Sequence, residues 1–181
     1  MKRFYVCLCA WLAWASVSEA KQRLSVRCIA AKDNPTGEAW QARWIWGPPK
    51  PNGALGLFRR PISVRPGLRT AWAQMSGDDA HTFYVNGTEA KKGGFWWKQT
   101  DRADVAGLLH PGRNLLGAEV MNATDPGGWL LELTLAYEDG SEDVLSTDKT
   151  WRFAAAKTDE WAKPELDDTG WLSCVEIRPL C

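Results

Sequence analysis

The sequence predicts an all-β protein, folded as an antiparallel β-sandwich. Three observations point there. No window sustains a 3.6-residue apolar repeat for three turns, so long amphipathic helices are not expected. Short runs rich in β-branched and aromatic residues recur instead, separated by Gly, Pro, Asn and Asp, the residues that close turns. There are nine or ten such runs in 181 residues of which 45% are hydrophobic, enough for two sheets packed on one core.

The elements follow in chain order. Arg43-Trp44-Ile45-Trp46 is the first run, and Gly47-Pro48-Pro49 stops it. Residues 56–64 form the second, and Pro61, which has no N–H to give a ladder, places part of it at an edge or bulge. Residues 70–75 alternate and form the third. Thr82-Phe83-Tyr84-Val85 is the fourth and runs into Asn86-Gly87, a pair that tolerates the positive φ of a two-residue hairpin turn. Thr88-Glu89-Ala90 returns from that turn. Residues 101–109 hold the one segment that reads as a helical turn, and residues 110–114 are a turn. Residues 115–122 are a strand with Leu116, Ala118 and Val120 on one face, and residues 125–128 a loop. Residues 129–137 are a longer strand, with Leu131, Leu133 and Leu135 on one face and Glu132 and Thr134 on the other. Residues 142–146, Trp151-Arg152-Phe153 and residues 174–177 complete the set. No repeat or low-complexity linker intervenes, so residues 40–181 read as one domain and residues 21–39 as an N-terminal extension.

Residues 1–20 read as a secretory signal peptide. Met1-Lys2-Arg3 is basic, the 14 residues 4–17 are apolar, and Ser18-Glu19-Ala20 offers small residues where a signal peptidase cleaves. The apolar run is short of the roughly 20 residues of a membrane span. A secreted or periplasmic location is therefore expected, with no membrane attachment after cleavage. Export makes a disulfide possible, and Cys28 with Cys174, or Cys28 with Cys181, would tie the chain's two ends together. The spacing does not choose between them. No CxxC pair occurs, which argues against zinc.

Charge excludes other classes. Lys plus Arg and Asp plus Glu balance at 22 each, so the chain lacks the basic excess of a nucleic-acid binder. It is too short for an α/β-barrel enzyme. Its most unusual feature is 12 tryptophans, which either build a large-aromatic core or stack on flat apolar faces such as those of sugar rings.

Several segments resemble one family in order and spacing. They are Ala42-Arg43-Trp44-Ile45-Trp46, Leu57-Phe58-Arg59-Arg60, and Asp78-Asp79 leading to Tyr84-Val85-Asn86-Gly87. Asp139-Gly140 followed by Thr147-Asp148-Lys149-Thr150-Trp151, and Asp167-Asp168-Thr169-Gly170-Trp171, continue the series. Together they resemble the N-terminal jelly-roll domain of bacterial α-L-rhamnosidases, which is similar to the sugar-binding domains of β-galactosidases and to galactose-binding-like modules. The resemblance implies a jelly-roll sandwich that accompanies large glycoside hydrolases. Some relatives bind sugars such as L-rhamnose, often with calcium, and many others only scaffold a catalytic domain, so the partner the resemblance implies is a rhamnose- or galactose-containing carbohydrate. No segment matches the family's (α/α) catalytic barrel, so no catalytic residue carries over.

The candidate sugar-binding residues come from two loops. In Gly93-Gly94-Phe95-Trp96-Trp97-Lys98 the adjacent Trp96 and Trp97 cannot both face inward along a strand. One indole is therefore free to stack on a pyranose, with a nearby acid such as Asp101 to bond hydroxyls. The second loop runs from Asn122 through Asp125 to Trp129, at one end of the sandwich, where such folds carry ligand loops. Calcium, if bound, is expected near Asp78 and Asp79. Trp44, Trp46, Trp151 and Trp171 are expected in the framework, and Trp40, Trp72 and Trp161 in the core or at a sandwich edge. His81 and His110 stand isolated in the sequence, no Gly-x-Ser-x-Gly elbow or phosphate loop occurs, and the acids lie in turns rather than facing across a cleft. The expected function is a secreted, non-catalytic carbohydrate-binding module. The alternatives are a structural or interaction sandwich, a truncated remnant of a larger glycoside hydrolase, or a small hydrolase. Asn86-Gly87-Thr88 and Asn122-Ala123-Thr124 fit the N-glycosylation sequon, and in a bacterial chain they signify only turns.

Overall fold

The computed structural model describes residues 40–48, 55–94, 100–123 and 127–177. The leader, the extension to residue 39, Trp96, Trp97, Asp125, Cys28 and Cys181 lie outside the described residues. Those described form strands β1 (Ile45–Trp46), β2 (Leu55–Val64), β3 (Leu68–Gly77), β4 (Ala80–Val85), β5 (Thr88–Gly94) and β6 (Asp101–Asp104). After one 3-10 turn (Ala106–Leu108) come β7 (Gly112–Met121), β8 (Trp129–Tyr137), β9 (Glu142–Ser146), β10 (Arg152–Ala154), β11 (Leu172–Ser173) and β12 (Val175–Glu176). The helical turn expected over residues 101–109 is thus split, its first half being a strand.

All pairings are antiparallel. One sheet has the order β12-β1-β8-β3-β6, with β9 also on β8, and the other the order β11-β10-β2-β7-β4-β5. Strands 1-8-3-6 facing 2-7-4-5 form a jelly roll: the chain crosses between the sheets at most connections and turns back within one sheet at β4–β5, β8–β9 and β10–β11.

The period-2 pattern builds the core. Ala71, Ala73 and Met75 of β3 and Leu131, Leu133 and Leu135 of β8 line one inner face, all at 0% exposure. Phe83 and Val85 of β4 and Leu116, Ala118 and Val120 of β7 line the other, equally buried. Trp46, Phe58 and Phe153 pack as an aromatic trio with centroids 5.4–6.0 Å apart. Pro61 sits beyond the Leu57–Arg59 stretch that β10 covers, where a missing N–H breaks no ladder on that side. Asn86 (φ 51°) and Gly87 (φ 82°) close β4 onto β5 in the expected hairpin. The Asn86 amide nitrogen donates to the Leu108 carbonyl (2.9 Å) and to Asn114 Oδ1 (2.8 Å), so this sequon asparagine is held within the fold.

The rhamnosidase-like motifs are structural joints. Thr147 Oγ1 donates to the Arg43 carbonyl (2.7 Å) and accepts from the Leu131 amide (3.2 Å), tying the segment that enters β1 to β8. Asp148 Oδ1 accepts from the Thr150 amide at 2.7 Å, and buried Trp151 donates its indole N–H to the Ser146 carbonyl. Arg59 points to the outer side of the second sheet at 0% exposure, beneath residues 161–171. It pairs with Asp168 (2.9 Å), donates to the carbonyls of Trp161, Lys163 and Leu166, and lies over the Trp171 ring. Trp44, Trp46, Trp151 and Trp161 are buried and Trp171 is partly so. Trp72, expected in the core or at an edge, is 43% exposed on the outer face of β3, because strand alternation puts it opposite Ala71 and Ala73. Cys174 is a free buried thiol, and burial pushes its pKa up to about 12.

Candidate functional site

One end of the sandwich collects most of the residues singled out in the sequence. The register brings Gly77 opposite Trp129, Ala80 opposite both Met121 and Gly94, and Met75 opposite Asp101. The ends of β3, β5 and β7 and the starts of β4, β6 and β8 therefore meet there. Asp78 donates its amide to the Gly128 carbonyl (2.9 Å). Asp79, at φ 68°, accepts the Ala123 amide on Oδ2 at 2.5 Å, tying the β3–β4 turn to the segment after β7.

His81 is the centre of this end. It is 3% exposed, its ring 5.3 Å from that of Trp129 and its Nε2 3.6 Å from Asp101 Oδ2. Asp101 also faces Lys91 Nζ (3.4 Å) and accepts the Gly94 amide (3.3 Å). Desolvation lowers the His81 pKa to about 4, against the pull of the Asp101 charge and with a smaller push from Lys91. The imidazole is therefore neutral at pH 7. Gly93 leaves room for this arrangement: a Cβ there would lie 1.9 Å from Asp101 Oδ2 and 2.9 Å from His81 Nε2, so one of these side chains would have to move.

Above this buried layer is a shallow open cleft of about 350 Å³, lined by Ala80, His81, Thr82, Lys92, Gly93, Glu119 and Met121. Met121 is 46% exposed and supplies an apolar floor. Thr82, Lys92 and Glu119 supply a hydroxyl, a cation and a carboxylate, and Glu119 is paired with Lys157 at 2.7 Å. Such a mix suits a small polyhydroxylated ligand, with hydroxyls bonded at the rim and a C–H face on the methionine.

The sequence-predicted residues divide. Asp101 is at the site, partly exposed. Trp129 and Asn122 are both 0% exposed, so neither offers a contact surface to a sugar. Trp129 is the inward residue where β8 begins and packs on His81 and Phe83. Asn122 packs beside Gly127 and Trp46. Trp96, Trp97 and Asp125 lie outside the described residues. No group of three or more His, Cys, Asp or Glu side chains could hold a metal among the described residues. Asp79 Oδ2 accepts the Ala123 amide, and no third such side chain joins Asp78 and Asp79 among the described residues. Sequence reading missed Thr82, Lys92, Glu119 and Met121, which come from three strands. The available signal was their outward parity beside inward His81, Phe83, Ala118 and Val120.

No protein-family profile and no curated protein matches the chain. Solved structures do. The α-L-rhamnosidase of Streptomyces avermitilis, solved with L-rhamnose, is 26% identical with a TM-score of 0.71, over 75% of this chain and 14% of that one. A lectin from Pleurotus ostreatus, solved with GalNAc, is 28% identical with a TM-score of 0.65, over 75% of this chain and 42% of that one. The α-L-rhamnosidase of Aspergillus terreus, 18% identical with a TM-score of 0.68 over 76% of this chain and 21% of its own, shares the fold. The chain thus has the jelly-roll sandwich found as one part of α-L-rhamnosidases and within a lectin, and it spans only a minor share of either. The resemblance drawn from the sequence motifs is borne out at the level of the fold.

Proposed function

We propose that the protein is a secreted, non-catalytic carbohydrate-binding module of the accessory kind. The observation that carries this reading is the sandwich's likeness to a lectin and to a rhamnosidase, each solved with a sugar, in a chain that carries a shallow, largely apolar cleft edged by Thr82, Lys92 and Glu119. Thr82, Lys92 and Glu119 bond sugar hydroxyls, Met121 meets a C–H face, and Asp101 holds the rim through Lys91 and Gly94. Trp96 and Trp97, which follow β5 in the sequence and lie outside the described residues, remain candidate stacking residues. Export rests on the leader pattern of residues 1–20.

Isothermal calorimetry and affinity electrophoresis against L-rhamnose, galactose, GalNAc and uronic-acid-containing polysaccharides test the reading, each with and without calcium. Binding that weakens about tenfold or more in Glu119→Ala or Lys92→Ala supports it. Absence of binding to every sugar sinks it and favours the second reading, a sandwich that serves as a scaffold. That reading draws on the complete burial of Trp129 and Asn122.

A further inference from the structure

The outer face of the first sheet carries a second set of residues with sugar-binding chemistry, remote in register from the cleft. Trp72 lies mid-strand in β3, with Asp104 of β6 opposite on one side and Thr134 of β8 on the other. Beyond Thr134 the same row continues to Val144 of β9. The next row on this face is Arg102, Gln74, Glu132 and Ser146. Trp72 and Val144 are 43% and 40% exposed, two large apolar side chains on one row. An exposed indole there loses hydrophobic stabilisation that a buried one would keep, and nothing in the strand pattern requires a tryptophan at an outward position.

The surroundings define what would cover it. Arg102 lies over one face of the Trp72 ring with its Cζ 5.0 Å from the centroid, which biases the indole's orientation and leaves a ligand the opposite face. A ring held in place loses little entropy on binding. Around it stand one guanidinium, two carboxylates (Asp104 and Glu132, each accepting one backbone amide on one oxygen, from Ala106 and Gln41), an amide (Gln74, which reaches Thr100) and a hydroxyl (Thr134). The carboxylates outnumber the cation, which disfavours an acidic ligand, and donors alternate with acceptors, which suits hydroxyls that do both. Strands lie about 4.8 Å apart, so Trp72 and Val144 are separated by roughly 10 Å across β8. That separation suits two linked sugar rings rather than one.

We propose that this face is a binding platform for a neutral polysaccharide, with one sugar ring stacked on Trp72 and the chain running across β3, β8 and β9 towards Val144. It is distinct from the cleft at the sandwich end and does not depend on it. The test pairs two readouts on the full-length protein. In the first, affinity electrophoresis against neutral glucans, xylan, mannan and galactan compares wild type with Trp72→Ala, Arg102→Ala and an exposed control outside both sites, Lys149→Ala. At least one neutral glycan should retard the wild type, with affinity falling about tenfold or more in Trp72→Ala, weakened in Arg102→Ala and unchanged in Lys149→Ala. In the second, Trp72 is oxidised with N-bromosuccinimide and mapped by mass spectrometry, and an oligosaccharide of the retarding glycan should slow its oxidation several-fold. Because Trp72 is half outside the core, an unchanged unfolding midpoint identifies loss of binding rather than of fold. Retardation and oxidation that are the same with and without glycan, or a Trp72→Ala variant that binds as wild type does, overturn the platform. Monosaccharide binding lost in Glu119→Ala but kept in Trp72→Ala leaves the cleft reading standing by itself.

Discussion

Burial, more than its charged neighbours, sets the protonation of His81, and that has a consequence for stability in acid. The imidazole ordinarily titrates near 6.5 and in the fold only near pH 4. Its pKa is lowered on folding, so between these values the unfolded chain binds the proton and the folded one does not. Stability from this residue is complete above pH 6.5 and is lost as pH falls towards 4, by about 3 kcal/mol in all. Urea denaturation at pH 7 and pH 4.5 should show the wild type losing about 2 kcal/mol more than His81→Gln over that interval. Equal losses in the two proteins would mean that His81 is solvated. Gly93 makes a second residue-scale prediction. Because a Cβ would sit 1.9 Å from Asp101 Oδ2, Gly93→Ala must expel the carboxylate from its place beside His81 and Lys91. A destabilisation of about 1–3 kcal/mol is expected, and a crystal structure of the variant should show the Asp101 carboxylate turned away from Lys91. Neither residue stands out in the sequence. A histidine between Ala80 and Thr82 signals nothing until the fold puts it on Trp129, and Gly93 reads only as part of a glycine pair.

At the scale of elements, Arg59 decides whether the outer side of β2 and β7 is covered. Its guanidinium reaches Asp168 and three carbonyls of residues 161–166, and Trp161, Ala162 and Leu57 close a small second core beneath that segment. Arg59→Met keeps the apolar volume but leaves Asp168 and the carbonyls without their donor. The expected loss is about 3–5 kcal/mol by chemical denaturation. Limited proteolysis should at the same time find residues 155–171 cut faster than in the wild type, while the sheets' far-UV spectrum is kept. A variant as stable and as protease-resistant as the wild type would show that this segment is held by its apolar contacts alone. The motif Asp167-Asp168-Thr169-Gly170-Trp171 is visible in the sequence, and so are nearly all the strands. Local patterns carry that information: alternation in β7 and β8, Asn86-Gly87 at the hairpin, Pro61 where an edge is free. What local pattern does not carry is which strand end lies beside which. The cleft residues Thr82, Lys92, Glu119 and Met121 are separate in sequence and meet only through the β4–β5 and β4–β7 registers. Trp129 departs from expectation for a related reason. A tryptophan next to a Gly-rich loop looks exposed, but as the first residue of β8 it has the inward parity of Leu131.

For the molecule as a whole, the two sites proposed make different demands on a rigid scaffold, and the fold meets both through the same pairings. β8 starts beside the cleft at Trp129 and carries Glu132 and Thr134 across the Trp72 face, so a ligand at either place engages only the folded state. Binding to the folded state alone raises stability by about 2.7 kcal/mol when ligand is a hundred times its Kd. For a domain of this size that corresponds to a rise in Tm of roughly 8 °C. The two sites share the scaffold without sharing a contact residue, so their stabilisations should add when both ligands are present. Differential scanning calorimetry with the monosaccharide selected by the cleft, the neutral oligosaccharide selected by the Trp72 face, and both together checks this. Glu119→Ala should cut the first shift alone, and Trp72→Ala the second alone, by about half or more for a tenfold or greater loss of affinity. A single shift that both variants abolish would mean one site, with the sheet face and the strand ends coupled through β8 rather than independent of each other.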